Sequence, residues 1–176
     1  MNTISTFLLP FVAIALALTQ SPVQVDQSNE QPPLSIKELR NVPTEIVVDG
    51  RSFSLSSYPW RDFMPTSPGS PNGSPLMVVL KVATAGKKPL PGGVRLERAW
   101  VLFGEEVWEA SDFRSGRRPV KDGWIICAET PVCEATVRGG PKWGPGVFVD
   151  VVVRLTDKEG RHHLLRAPKQ LILRSD

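Results

Sequence analysis

Proline and glycine interrupt this chain so often that few stretches are long enough for helices. The 176 residues include 17 prolines and 14 glycines, and the segments between them are rich in Val, Leu, Ile, Phe and Trp. Short apolar segments separated by turn residues are typical of all-β proteins. Apart from one helical turn at residues 35–39, which Pro43 ends, the sequence therefore predicts strands joined by turns.

Two segments show the alternation of a half-buried strand most clearly. In residues 147–155 every second side chain is apolar, which is the period of two expected of one sheet face. The second segment is residues 94–103, where the apolar side chains predicted to share one face are Val94, Leu96, Trp100 and Leu102. Arg98 interrupts this pattern and marks an edge or a bulge.

A turn is predicted at Asp49–Gly50. This pair indicates a tight hairpin, since Gly adopts the positive φ that such turns need.

Eight or nine short strands predict an antiparallel β-sandwich over residues 34–176. It resembles the immunoglobulin-like or fibronectin-like architecture, and a partly open barrel is the alternative. Two hallmarks of true immunoglobulin domains are missing. Cys127 and Cys133 are too close in sequence to join two sheets as in that family, and Tyr58, the only tyrosine, does not lie two residues before a cysteine. The resemblance is therefore one of architecture alone.

The N-terminal residues have the pattern of an export signal. Residues 7–18 form an apolar run that is too short to span a bilayer but suits a signal peptide, and residues 15–17 read Ala-Leu-Ala, a cleavage motif. Residues 1–6 lack the usual Lys or Arg, and an uncleaved anchor is the alternative. We predict a signal peptide at residues 1–21, a disordered linker at residues 22–33, and a secreted or periplasmic protein without a transmembrane segment in the mature chain.

Cys127 and Cys133 are the only cysteines. Their spacing is not one that zinc or redox sites use, and an oxidising compartment favours a disulfide across the short turn between them. Two free thiols are the alternative. The expected distance between the two Cα atoms is below about 7 Å, as a disulfide requires.

The sequence offers little support for catalysis. His162 and His163 are the only histidines, and neighbours in a strand point to opposite faces, so we do not expect them to share a site. Motifs of hydrolases, zinc proteases, phosphate-binding loops and dinucleotide-binding folds are missing. The paired carboxylates Glu105 and Glu106 fall in a predicted turn. We therefore predict no cofactor and no metal, and an enzyme is less well supported than a binding protein.

The charge balance does not point to nucleic acid. Lys and Arg exceed Asp and Glu by 21 to 18, a small excess for a protein that binds DNA or RNA. One basic cluster is interpreted as a solvated loop, with contact to an anionic surface as the alternative. Its residues are Arg114, Arg117, Arg118 and Lys121.

Aromatic residues beside an Arg and an acid are the better candidates for binding. Residues 58–65 read Tyr-Pro-Trp-Arg-Asp-Phe-Met-Pro, and Trp143 stands among Gly and Pro residues. Such residue types are favoured in recognition surfaces, although both segments are also suited to closing the core. The Pro-rich residues 65–75 offer few anchors. The predicted binding residues are Trp60, Arg61, Asp62 and Trp143.

These observations favour an exported, non-catalytic binding or interaction module. Its partner is predicted to be an unknown protein or an envelope polymer, held by loops at one end of the sandwich. The alternative is a secreted, hydrolase-like enzyme or enzyme subunit with a site built from scattered carboxylates and one His. A metal carrier that uses Met64, Met77 and a His is a third, weaker interpretation.

Overall fold

The computed structural model describes residues 33–64, 72–110, 112–115, 118–119, 123–127 and 130–175. The predicted signal peptide, nearly all of the predicted linker and the Pro-rich residues 65–71 lie outside these ranges, as do Arg117 and Lys121 of the basic cluster. Among the described residues no helix has the length and hydrophobicity needed to cross a membrane.

The described residues form an α-helix, a 3-10 turn and twelve strands. In chain order these are α1 (Ile36–Arg40), β1 (Glu45–Val48), β2 (Arg51–Asp62), β3 (Leu76–Thr84), the 3-10 turn (Ala85–Lys87), β4 (Arg95–Phe103), β5 (Glu106–Ala110), β6 (Phe113–Ser115), β7 (Arg118–Pro119), β8 (Ile125–Ile126), β9 (Val132–Gly140), β10 (Phe148–Thr156), β11 (His162–Leu171) and β12 (Leu173–Ser175).

The strands build two sheets, which confirms the predicted all-β sandwich. The seven-stranded sheet has the order β1-β2-β3-β9-β6-β7, and β12 adds to β2 in parallel. The five-stranded sheet has the order β11-β10-β4-β5, and β8 adds to β4. The sequence underestimated the number of strands, because β6 and β7 are too short to show a period of two.

The core lies between the inner faces of the two sheets. Val78 of β3 and Val151 of β10 are fully buried there, one from each sheet. At the edge of the sandwich the ring of Trp108 in β5 lies against the backbone of β9, where a Cβ on Gly140 would come within 2.6 Å of the ring. Glycine at this position therefore lets the two sheets approach closely.

The predicted face of β4 is wrong in its second half. The register between β4 and β10 shifts at Glu97, beside Arg98, so the strand carries a bulge there. A bulge adds one residue and exchanges the faces of the residues that follow. Trp100 and Leu102 consequently lie outside the main core, where they pack with Leu39 of α1 in a second apolar cluster.

Helix α1 covers the outer face of the five-stranded sheet. A capping box fixes its start, since Ser35 Oγ accepts from the Glu38 N–H at 3.3 Å and Glu38 Oε2 accepts from the Ser35 N–H at 2.8 Å. The side-chain hydrogen bond from Ser35 lowers the pKa of Glu38. Arg40 ends the helix and binds Gly104 and Glu105 at the turn between β4 and β5.

The predicted disulfide is present, with 5.0 Å between the Cα atoms of Cys127 and Cys133. Its place differs from the prediction. Cys127 continues β8 and donates its N–H to Val94 beside the five-stranded sheet, whereas Cys133 belongs to β9 of the seven-stranded sheet. The bridge therefore joins the two sheets, because the chain crosses from one sheet to the other within this short segment.

Strand β2 spans the sandwich from one end to the other. It begins after the hairpin at Asp49–Gly50, where φ is 49° and 70° as the predicted turn requires. It continues through Asp62, so the aromatic segment that begins at Tyr58 is mostly strand and not a loop between strands. This length decides which side chains of that segment face the core.

Candidate functional site

The predicted binding residues Trp60, Arg61 and Asp62 occupy consecutive positions of β2 and therefore do not share one face. Side chains of a strand alternate between its faces. Arg61 is 3 % exposed, whereas Trp60 and Asp62 are partly exposed. The structure thus divides the predicted site into a buried part, on the inner side of β2, and a surface part on its outer side.

The Arg61 guanidinium organises the buried part at one end of the sandwich. Its Nε donates to the carbonyl of Ser74 at 2.8 Å, and its Nη1 donates to the carbonyls of Lys142 and Trp143 at 3.1 Å each. A further bond reaches the carbonyl of Asn72. Burial lowers the pKa of Arg61, but a guanidinium stays charged throughout the accessible pH range. Arg61 therefore ties two connecting segments to the end of β2.

Phe63 packs against this buried part. Its ring centroid lies 4.9 Å from Cζ of Arg61 and 4.4 Å from Cζ of Arg174, so the ring contacts two guanidinium groups. The backbone at Gly73 passes directly beside the ring, where a Cβ would come within 2.8 Å of it. The Phe63 ring therefore packs against the segment that contains Gly73 and holds it in place.

Trp143 belongs to the core, as one of its two sequence interpretations expects. The side chain is 8 % exposed, and its ring lies 5.5 Å from that of Phe103. The indole Nε1 donates to Glu106 Oε2 at 2.9 Å, which satisfies the polar atom of the ring. Little of this ring is left for a ligand.

The surface part lies on the outer face of the seven-stranded sheet. We call it the Tyr58 face, after its most exposed aromatic side chain: Tyr58 is 51 % exposed. Neighbouring strands contribute three cross-strand rows, which the register places side by side. The rows are Ser56, Lys81 and Glu134; Tyr58, Val79, Thr136 and Arg114; and Trp60, Met77 and Arg138.

A shallow concavity of about 340 Å³ opens on the Tyr58 face. An ion pair crosses its floor, with Lys81 Nζ 3.1 Å from Glu134 Oε2. The concavity thus combines an aromatic ring and an aliphatic surface with donors and acceptors, and its lining residues are Ser56, Ser57, Tyr58, Val79, Lys81 and Glu134.

Sequence reasoning missed the β9 contribution to this face. In residues 132–138 the buried side chains Cys133, Ala135 and Val137 alternate with polar ones. That period of two, centred on the cysteine, was the available signal. It places Glu134, Thr136 and Arg138 together on the outer side.

Asp62 is occupied by contacts within the protein. Its Oδ1 accepts from the Met64 N–H at 2.9 Å and from Ser175 Oγ at 3.3 Å. Its backbone N–H and carbonyl are both bonded to Ser74. The carboxylate therefore fixes the end of β2 against β12 and is a weaker candidate for a ligand than Tyr58 or Trp60.

Asp157 and His163 form a contact between a carboxylate and a histidine, which are the residue types that the predicted enzyme alternative requires. Their atoms Oδ2 and Nε2 lie 2.8 Å apart, and the Asp157 side chain is 1 % exposed. Asp157 also accepts from the N–H groups of Glu159 and Arg161 and from Arg161 Nε at 2.7 Å. These contacts secure the turn between β10 and β11.

Burial alone raises the pKa of Asp157, but the hydrogen bonds from His163 and Arg161 outweigh that effect and hold this pKa well below its usual value. The hydrogen bond to Asp157, together with the charge of that carboxylate, raises the pKa of Arg161. The carboxylate is therefore charged throughout the neutral range. It is a permanent acceptor for the turn.

The two histidines have separate partners, as predicted. His162 Nδ1 lies 2.9 Å from Thr156 Oγ1, whereas His163 contacts Asp157. The carboxylates Glu105 and Glu106 are likewise separate, since Glu105 pairs with Arg40 at 3.1 Å and Glu106 accepts from the Trp143 indole. The structure does not bring these acids and a histidine together at one place.

Within the described part of the chain, no three His, Cys, Asp or Glu side chains are placed to hold a metal ion. No protein-family model matches the sequence, and the search of curated proteins gave no match. The Tyr58 face is therefore assigned as the candidate site on its geometry and chemistry.

Proposed function

We propose that this chain is an exported, non-catalytic binding module that works outside the cytoplasm and holds its partner on the Tyr58 face. The N-terminal apolar run supports export. The disulfide between Cys127 and Cys133 supports an oxidising compartment, since such bonds persist there.

One observation carries the choice of surface. Tyr58 stands half exposed on the outer face of β2, beside Val79 of β3. Tyr, Trp and Arg supply much of the energy of known binding surfaces, and Trp60 and Arg138 lie on the same face. The partly exposed aromatic pair is thus available without any rearrangement of the fold.

The proposed surface is not the one expected from sequence. The sequence favoured loops at one end of the sandwich, and its four predicted binding residues included Arg61 and Trp143. Both side chains are buried in the structure and hold that end together. Of the four predicted residues, Trp60 remains as a surface anchor, and Tyr58 joins it.

The test compares retention of the tagged chain in the native envelope or secreted fraction. We expect both Tyr58→Ala and Trp60→Ala to abolish co-purification of a partner. The melting temperature should stay near normal for Tyr58→Ala and fall for Trp60→Ala, because Trp60 is partly buried. Phe148→Ala is the matched control, because Phe148 is 62 % exposed on the other sheet. Equal retention of wild type, Tyr58→Ala and Trp60→Ala would contradict the proposal.

A further inference from the structure

We infer that the Tyr58 face binds a chain of an acidic polysaccharide. This inference rests on the proposed function, and it specifies the chemistry of the partner. Three properties of the face lead to it: the placement of the rings, the polar groups around them and the distribution of charge.

The rings lie along one strand. Tyr58 and Trp60 are two residues apart on the same face of β2, which corresponds to roughly 7 Å along the strand at about 3.3 Å per residue. Val79 stands beside Tyr58 on β3 and continues the apolar surface, and the buried Met77 lies beside Trp60. A row of flat surfaces on a continuous strand fits an extended chain of rings, because each ring of the ligand can lie on apolar surface while its edge stays in water.

The polar groups around the rings provide both donors and acceptors. Lys81 is a donor, Glu134 is an acceptor, and the hydroxyls of Ser56 and Thr136 serve as either. Lys81 and Glu134 are 49 % and 57 % exposed, so their remaining hydrogen-bonding capacity faces outward. This mixture suits a ligand that carries many hydroxyl groups.

The charge of the face favours an acidic ligand. The three cross-strand rows contain Lys81, Arg114 and Arg138 against the single carboxylate of Glu134. Glu134 is paired with Lys81, and no acidic side chain among the described residues lies within ion-pair distance of exposed Arg138. Arg138 lies in the row of Trp60, so a ligand stacked on Trp60 brings its acidic groups toward that guanidinium.

Two further carboxylates near this face accept hydrogen bonds from neutral groups and keep their charge. Asp62 holds Met64 and Ser175, and Glu45 accepts from Ser52 on the β1 side. Arg114 keeps a 4.0 Å contact with Asp112, so Arg138 is the cation most available to a ligand. Arg138 is therefore the exposed cation beside the aromatic pair for which the described residues supply no acidic partner.

The experiment is affinity electrophoresis of the mature chain through gels that contain polygalacturonate. Fully methyl-esterified polygalacturonate is the matched probe with the same sugar backbone and no charge, and polyacrylate is a polyanion without sugar rings. We expect retardation by polygalacturonate only. Tyr58→Ala and Arg138→Gln should each weaken binding by about tenfold, an effect in the range of single interface anchors.

Two control variants lie away from the Tyr58 face, one on β10 and one on α1. Phe148→Ala removes an exposed ring, and Lys37→Gln removes an exposed charge of α1. Both should bind polygalacturonate like the wild type. Loss of binding in these controls would mean that the contact is not on the Tyr58 face, and it would overturn the inference.

Other outcomes separate this inference from the proposed function. Equal retardation by the esterified probe, or dependence on Tyr58 with none on Arg138, overturns the acidic ligand and leaves the binding face in place. Equal retardation by polyacrylate would show that the protein binds any polyanion through charge and does not recognise sugar rings, and it also overturns the inference. If none of the three polymers binds but a purified envelope protein does so through Tyr58, the partner is a protein and the polysaccharide is rejected. If nothing binds through Tyr58 or Trp60, both proposals fail.

Discussion

The two ends of the sandwich are secured by opposite charges. At one end the Arg61 guanidinium donates to the carbonyl oxygens of two connecting segments. At the other end the Asp157 carboxylate accepts from backbone N–H groups and from the side chains of Arg161 and His163. Each group is nearly inaccessible to solvent. Both satisfy backbone atoms that a turn leaves without partners.

The comparison teaches that each of these two buried charges holds the connecting segments at its own end of the sandwich in place. The two ends differ in their response to pH, since a guanidinium does not lose its proton in the accessible range and a carboxylate takes one up in acid. They also differ in packing. The Arg61 end contains Trp143 and Phe63, whereas the Asp157 end depends on polar contacts and on ion pairs with Asp49.

The largest expected effect is at the aromatic end. Trp143→Ala removes a buried ring that packs on Phe103 and leaves Glu106 without its indole donor. We expect the free energy of unfolding to fall by about 3–5 kcal/mol, the usual cost of deleting a buried Trp. Urea unfolding measures it. Tyr58→Ala is the comparison at an exposed ring, and its unfolding midpoint should stay close to that of the wild type.

A Trp143→Ala protein of normal stability that no longer binds its partner would reverse the assignment. Trp143 would then be a surface anchor, and the end of the sandwich would be the binding site. A destabilised variant that still binds when folded supports the Tyr58 face.

The second effect tests the guanidinium itself. Arg61→Met keeps most of the side-chain volume but leaves the carbonyls of Ser74, Lys142 and Trp143 without their donor. A buried group that loses its partner costs about 1–3 kcal/mol, so we expect the free energy of unfolding to fall by about 2 kcal/mol. Arg138→Met is the matched control at an exposed position. Equal stability of the two variants would show that Arg61 does not hold this end together.

Much of the fold follows from the sequence because alternation and turn residues act locally. The hairpin at Asp49–Gly50, the strand at β10 and the closeness of Cys127 and Cys133 all depend on short stretches of chain. Each was predictable, since neighbouring residues alone decide it. The sheet to which each strand belongs is different, because it depends on pairing between distant residues.

Two errors have that cause. The bulge at Glu97 depends on the register with β10, and it moved Trp100 and Leu102 from the predicted face to the cluster under α1. The disulfide was predicted across a short turn, but it joins the two sheets, because β8 pairs with β4 and not with β9. Neither the pairing of β4 with β10 nor that of β8 with β4 can be predicted from the residues next to these strands in the sequence.

The candidate site was predicted only in part for a related reason. Residues 58–63 were grouped because they are adjacent in sequence, yet a continuous β2 sends Arg61 inward and Trp60 outward. The charged partners on the Tyr58 face come from β3 and β9. Lys81 and Glu134 meet only because the sheet places them opposite each other.

The smallest expected effect is at the acidic end, for Asp157→Asn. The amide oxygen still accepts from the N–H groups of Glu159 and Arg161, so the turn keeps part of its support. The variant loses the charge that faces Arg161 and His163. We expect a lower melting temperature at neutral pH, but a smaller decrease than for Arg61→Met.

The pH dependence of this decrease identifies the carboxylate as its cause. Because the pKa of Asp157 is lower in the folded protein than in the unfolded chain, its contribution to stability is present above the unfolded value, about 4, and is lost as the pH falls toward the folded value. The difference in melting temperature between wild type and Asp157→Asn should thus be present at neutral pH and shrink below about pH 4. Asp49→Asn is the control, since Asp49 makes only 3.7 Å ion pairs at the surface of this end. A difference that persists unchanged at low pH would mean that the shape of the side chain, and not its charge, secures the turn.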